Sequence, residues 1–128
     1  MLIERMNVLK TGARNSVDQM LRAIDARQPL SEGSRDALRL VSMELLNNIA
    51  DHSSADVVEL SCKLQDGVVS ITIDDNGPGF DYHEVMERSM VDPFDERGRG
   101  MLIVQAIADE LRYNPAGNSV RVVLRING

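Results

Sequence analysis

The chain has 128 residues, 43% of them hydrophobic, and a formal charge of -6, which suits one domain with its own core and leaves too little material for two. No stretch of about 18 apolar residues is present to cross a bilayer, and the acidity works against the counterion release that draws proteins onto nucleic acid. Neither a membrane nor direct nucleic-acid binding is expected.

The N-terminal residues Met1 to Met6 lack the basic segment, apolar stretch and small-residue cleavage site of an export signal, so a cytoplasmic location is expected. The single cysteine, Cys62, cannot form an internal disulfide and sits in an alternating pattern as a small buried side chain.

Residues 3 to 9 give a weak signal for a first strand. Asn15 or Ser16 is positioned to cap a helix carrying Val17, Met20, Leu21 and Ile24 on one side, and Pro29 ends it. Ser31, with Glu32 and Ser34 behind it, opens a second helix in which Leu38, Val41, Leu45 and Ile49 recur at helical spacing. Val58, Leu60, Cys62 and Leu64 then alternate, as do Val69, Ile71 and Ile73 beyond Gln65-Asp66-Gly67. That pattern predicts an antiparallel hairpin.

Residues 81 to 97 contain six acids, Met86, Met90, Pro93 and Phe94 without clear periodicity, and a connection of that length suggests a lid. Met101 to Tyr113 reads as a third helix with Ile103, Val104, Ile107, Ala108 and Leu111 inward, stopped by Asn114-Pro-Ala-Gly117. Val120, Val122, Leu124 and Ile126 alternate in a last strand. These elements predict an α/β (α+β) two-layer sandwich with helices on one face of a mainly antiparallel sheet.

Three segments carry chemistry. On the second helix Glu44, Asn48 and Asp51 share a polar stripe, and Asn48 falls about 20° from Val41 at the edge of the apolar face. A partly buried carboxamide must use its hydrogen-bonding capacity, and its oxygen suits magnesium, which takes hard oxygen ligands and keeps several waters. A bond to a neighbouring strand would satisfy it equally well. Glu44, one turn earlier, is placed to accept a proton from an incoming hydroxyl, while a solvated helix carboxylate is its plain alternative.

Asp75 extends the inward alternation of Val69, Ile71 and Ile73, so its carboxylate falls at the mouth of the strand where a purine amino group could donate to it. Gly77 and Gly79 follow in Asn76-Gly77-Pro78-Gly79, letting the backbone turn sharply and approach a flat ligand. The alternative is an ordinary β-turn. Gly98-Arg99-Gly100 precedes Met101 and an apolar helix, whose free N–H groups would face an anion. Arg97 and Arg99 are candidates for phosphate contact. His52, a lone histidine near a helix end, reads as structural.

In this order the segments resemble the boxes of the histidine-kinase-like (GHKL, Bergerat-fold) ATPases, and within them the compact anti-sigma-factor serine/threonine kinases. Glu44-Leu-Leu-Asn47-Asn48 is similar to the asparagine box, Asp75-Asn-Gly77-Pro-Gly79-Phe80 to the first glycine box, and Gly98-Arg-Gly100-Met101-Leu-Ile-Val to the second. Ile49 stands where alanine is frequent and Asn118-Ser119 where threonines are.

The resemblance covers nearly the whole chain and implies a Bergerat-type mixed, mainly antiparallel sheet in one domain, residues 1 to 128, with an ATP lid at about 81 to 97. It implies ATP/ADP with Mg2+, Asn48 as magnesium ligand, Asp75 as adenine contact, the glycines and Met101 around the nucleotide, and Glu44 as general base. It further implies a bacterial cytoplasmic enzyme that phosphorylates a serine on a small STAS-type anti-sigma-factor antagonist, holds a sigma factor by partner switching, and forms a homodimer. A non-catalytic, ATP/ADP-gated protein-binding module is the alternative function.

Overall fold

The hairpin foreseen at Gln65-Asp66-Gly67 is built as its residues require. Asp66 and Gly67 both adopt positive φ, 53° and 74°, the left-handed pair that lets a two-residue loop match the twist of the strands it joins. It connects β2, Val57–Gln65, to β3, Val68–Asp74, with Gln65 opposite Val68. The computed structural model describes residues 1–52, 56–75 and 96–128.

β1, Leu2–Leu9, pairs with β2, while β4, Glu110–Tyr113, and β5, Ser119–Arg125, complete the order β1-β2-β3-β5-β4. All four pairings are antiparallel, so no parallel pair accompanies them among the described residues. One cross-strand row runs Met6, Leu60, Ile73, Val120, Tyr113 and marks the inner face, because Leu60, Ile73 and Val120 are buried and Met6 and Tyr113 pack against the same core.

Against that face lie α1, Ala13–Arg27, α2, Glu32–His52, and α3, Glu96–Ile107. α1 contributes Val17, Met20, Leu21 and Ile24, and α2 contributes Leu38, Val41, Leu45 and Ile49, the positions that helical spacing selects. With Met101 and Val104 of α3 they merge into one cluster with the inner strand residues, each large apolar side chain contributing about 1.5–3 kcal/mol by its burial. The result is the two-layer α+β sandwich that the sequence predicts. Among the described residues no helix is long and apolar enough to cross a membrane.

Local starts and stops differ from expectation at the start of α1 and at both ends of the third predicted helix. α1 begins at Ala13 directly from a 3-10 turn at Lys10–Gly12, and Gly12 at its N-cap makes no side-chain capping bond, so neither Asn15 nor Ser16 is the cap. Ser31 does cap α2: its Oγ accepts from the Ser34 N–H at 3.1 Å. α1 ends before Pro29 as expected, its last turn closed by Gln28 N–H donating to the Ile24 carbonyl at 2.9 Å.

The third predicted helix is really a helix and a strand. α3 starts at Glu96, not Met101, and its last bond runs from Ala108 N–H to the Val104 carbonyl at 2.8 Å. Ile107 is 37% exposed rather than inward. From Asp109 the chain belongs to the sheet: its N–H donates to the Val123 carbonyl at 2.9 Å and its carboxylate accepts from Arg125 N–H at 2.7 Å. Leu111 then lies opposite Val122 in β4. Spacing alone could not separate the readings, because Leu111 sits four residues after Ile107 and also alternates with Tyr113.

Candidate functional site

Three polar side chains are buried among the described residues: Ser42, Asn48 and Asp75. Two of them are residues singled out by the sequence. Asn48, 7% exposed, lies on α2 where its rotation from Val41 puts it at the edge of the core. Its Nδ2 donates to the Tyr113 hydroxyl at 3.1 Å, so the strand-bonded alternative holds for the amide nitrogen. Among the described residues Ser42 Oγ is the buried side-chain atom left without a partner. Oδ1 is the other end of the Asn48 amide, on a residue that keeps a small exposure.

Tyr113 was not foreseen as a site residue. Burial pushes its phenol up to about 12, against a smaller opposing effect of the Asn48 hydrogen bond, so it stands beside the amide as a neutral hydroxyl throughout the physiological range. Its signal in the sequence was weak: the alternation of exposed Glu110 and Arg112 with half-buried Leu111 and Tyr113 spans too few residues to stand out.

Asp75, 2% exposed, is one inward step beyond Ile73 at the end of β3. Its N–H donates to the Asn118 carbonyl at 2.8 Å, tying the residue to the β4–β5 turn. Asn114 closes that turn by accepting from Asn118 N–H at 3.0 Å and Ser119 N–H at 3.1 Å through Oδ1. Its Nδ2 donates to Asn118 Oδ1. Gly117, at φ 74°, supplies the left-handed residue the turn needs. The same short connection thus runs from Tyr113 to the backbone contact with Asp75. An open cleft lined by Glu59, Asp74, Asp75, Asn114, Asn118 and Ser119 lies at this end of the sheet, and Glu59, Asp74 and Ser119, one register step from the inner row, belong to its outer face.

Glu44 is half-buried, one turn before Asn48 on α2. Gly100 of α3 comes so close that a Cβ there would lie 2.7 Å from Glu44 Cδ and nearer still to Oε2. Glycine is what leaves this carboxylate its place against α3. Met101 follows it into the core at 2% exposure.

Because α3 begins at Glu96, Gly98 falls in its first turn and Gly100 in its second, rather than in a loop ahead of the helix. For Arg97, Gly98 and Arg99 only the backbone is described. Gly77, Gly79 and residues 81 to 95 of the expected lid lie outside the described residues, and His52 and Asp51 are described only as backbone of the last turn of α2.

Among the described residues no three His, Cys, Asp or Glu side chains cluster to hold a metal ion. Magnesium is commonly held by one or two protein oxygens together with phosphates and water, and an asparagine oxygen such as Asn48 Oδ1 has the chemistry for that part.

An open antiparallel sheet backed by helices defines the class, a two-layer α+β sandwich, and it carries a buried asparagine, a buried strand-end aspartate and a glycine beside a glutamate carboxylate. The chain belongs to the family of the histidine kinase-like ATPase domain, whose model matches residues 9–124. ATP or ADP is the ligand this membership implies. No curated protein matches the chain.

Proposed function

We propose that this protein is an ATP-dependent serine kinase that phosphorylates a small STAS-type anti-sigma-factor antagonist in the bacterial cytoplasm and alternates between that antagonist and a sigma factor. The observation that carries the reading is the half-buried Glu44 carboxylate against Gly100, one helical turn from Asn48. A carboxylate one turn from Asn48 and against the second turn of α3 suits a general base better than a solvated surface charge.

In this reading Asn48 Oδ1 holds Mg2+, Asp75 accepts from the adenine amino group, and the backbone at Gly77, Gly79, Gly98 and Gly100 shapes the phosphate side, with Arg97 and Arg99 beside it. Bound Mg2+ would supply neutralisation of phosphate charge. The serine hydroxyl oxygen bonds to the γ-phosphorus as the bond from that phosphorus to the β–γ bridging oxygen breaks. The hydroxyl proton passes to Glu44, and ADP leaves with the bridging oxygen. Catalysis is then positioning and charge stabilisation, since the protein forms no covalent bond to the phosphoryl group.

The test is capture of partners from the source cell with ATP and with ADP, followed by incubation of the purified partner with labelled ATP and mapping of the phosphosite. Stable label on a serine of the partner is the expected result. Nucleotide-dependent association without label would replace the kinase with a nucleotide-gated binding module, in which ATP acts only through different affinities for two conformations.

A further inference from the structure

We infer that Tyr113 is the positioning residue that fixes which end of the Asn48 carboxamide faces the ligand site, and that the β4–β5 hairpin is the strut that sets both halves of that site. This rests on the nucleotide reading above and adds a residue to it.

An asparagine amide turns about a broad, roughly two-fold torsion, so an unrestrained Asn48 could offer a cation either its oxygen or its NH2. The two are opposite in effect. An NH2 turned toward Mg2+ presents positive partial charge to it, whereas Oδ1 presents a hard ligand. A hydroxyl can donate or accept, and in this structure Tyr113 accepts from Nδ2 at 3.1 Å, so Oδ1 is the end of the amide turned away from it. Residues that orient a metal ligand through its second polar atom are worth about ten- to a hundredfold in metal affinity.

The hydroxyl is itself held in place. Tyr113 ends β4 opposite Val120, its ring packs on the core, and Asn114, the next residue, is locked by its own bonds across the turn. At the far end of that turn Asn118 accepts from the Asp75 N–H. A shift of the hairpin would therefore move the Asn48 amide and the Asp75 backbone together.

The experiment is calorimetric titration of ATP, with excess Mg2+ and with EDTA, into the parent, Tyr113→Phe, Asn48→Ala and the double variant, with a thermal melt of each. Phenylalanine keeps the ring and loses only the hydroxyl. The expected result is a magnesium enhancement of affinity that falls about tenfold in Tyr113→Phe, with Mg-free affinity unchanged. Asn48→Ala abolishes the enhancement, and in its background Tyr113→Phe has no further effect.

An unchanged enhancement in Tyr113→Phe, or equal losses with and without magnesium, would overturn the inference while leaving the nucleotide reading intact. A parent that binds no ATP, or binds it without regard to magnesium, would remove that reading and the inference with it. Should the phenylalanine variant not fold, NMR of the Asn48 side-chain amide in the parent decides: slow exchange of its NH2 protons supports the bond, and free exchange overturns it.

Discussion

Gly100 and Glu44 are in such close approach that a Cβ on Gly100 would stand 2.7 Å from the Glu44 Cδ, so a side chain there fits only if the carboxylate moves. The obstructing atoms are the end of a flexible side chain, not backbone, so the carboxylate can be pushed aside without dismantling the fold. Gly100→Ala should therefore leave the melting temperature near the parent's, because alanine gains about 1 kcal/mol over glycine in a helix and offsets part of the displacement. Phosphoryl transfer should fall on the order of a hundredfold, as for loss of a general base, and Glu44→Ala should match it. Thermal melts beside single-turnover transfer rates check this; a fully active Gly100→Ala variant would detach Glu44 from the reaction.

The β4–β5 turn is predicted to matter to binding through structure alone. Asn114→Ala removes the acceptor of the Asn118 and Ser119 N–H groups and should cost about 1–3 kcal/mol. Gly117→Ala forces a side chain into φ 74° at about 1–2 kcal/mol. Denaturant unfolding measures both. Since Asn118 anchors the Asp75 backbone, each variant should also weaken ATP binding, and unaltered affinity in both would show that the turn does not set the site.

A pH dependence follows from the α1–α2 connection. Asp25 Oδ1 accepts from Leu30 N–H at 2.9 Å and from the Arg35 guanidinium at 2.8 Å, and the backbone bond first, then Arg35, lower its carboxyl below the ordinary value of 3.8. A depressed folded-state value stabilises above the unfolded pKa and loses that contribution as pH falls through the folded one. Asp25→Asn should melt lower than the parent at pH 7, and the gap should close as pH falls below about 3.8. A gap independent of pH would mean that the carboxylate charge contributes nothing.

Much of this arrangement could be read from the sequence because local and tertiary preferences agree. The β2–β3 hairpin combines strict alternation with an Asp-Gly loop, and α2 combines helical spacing with a Ser31 cap. The burial of Asn48 and Asp75 followed from the same periodicities: one falls beside Val41 on the helix, the other continues Ile73 on the strand. Where preferences conflict, the reading failed. Gly98 and Gly100 disfavour helix, yet α3 runs through both and brings Gly100 against α2. Glu110–Tyr113 is too short to announce itself as a strand, so its pairing with β5, and with it the Tyr113 contact to Asn48, emerges only in three dimensions.

The most direct measurement is calorimetric titration of ATP into the parent and Asp75→Asn with excess Mg2+. One site per chain is predicted in the parent, with affinity for ATP lowered about tenfold or more by the substitution, since a charged acceptor in a buried site is exchanged for a neutral one. No heat of binding in the parent, or superimposable isotherms for the two proteins, would contradict an adenine nucleotide site built around Asp75.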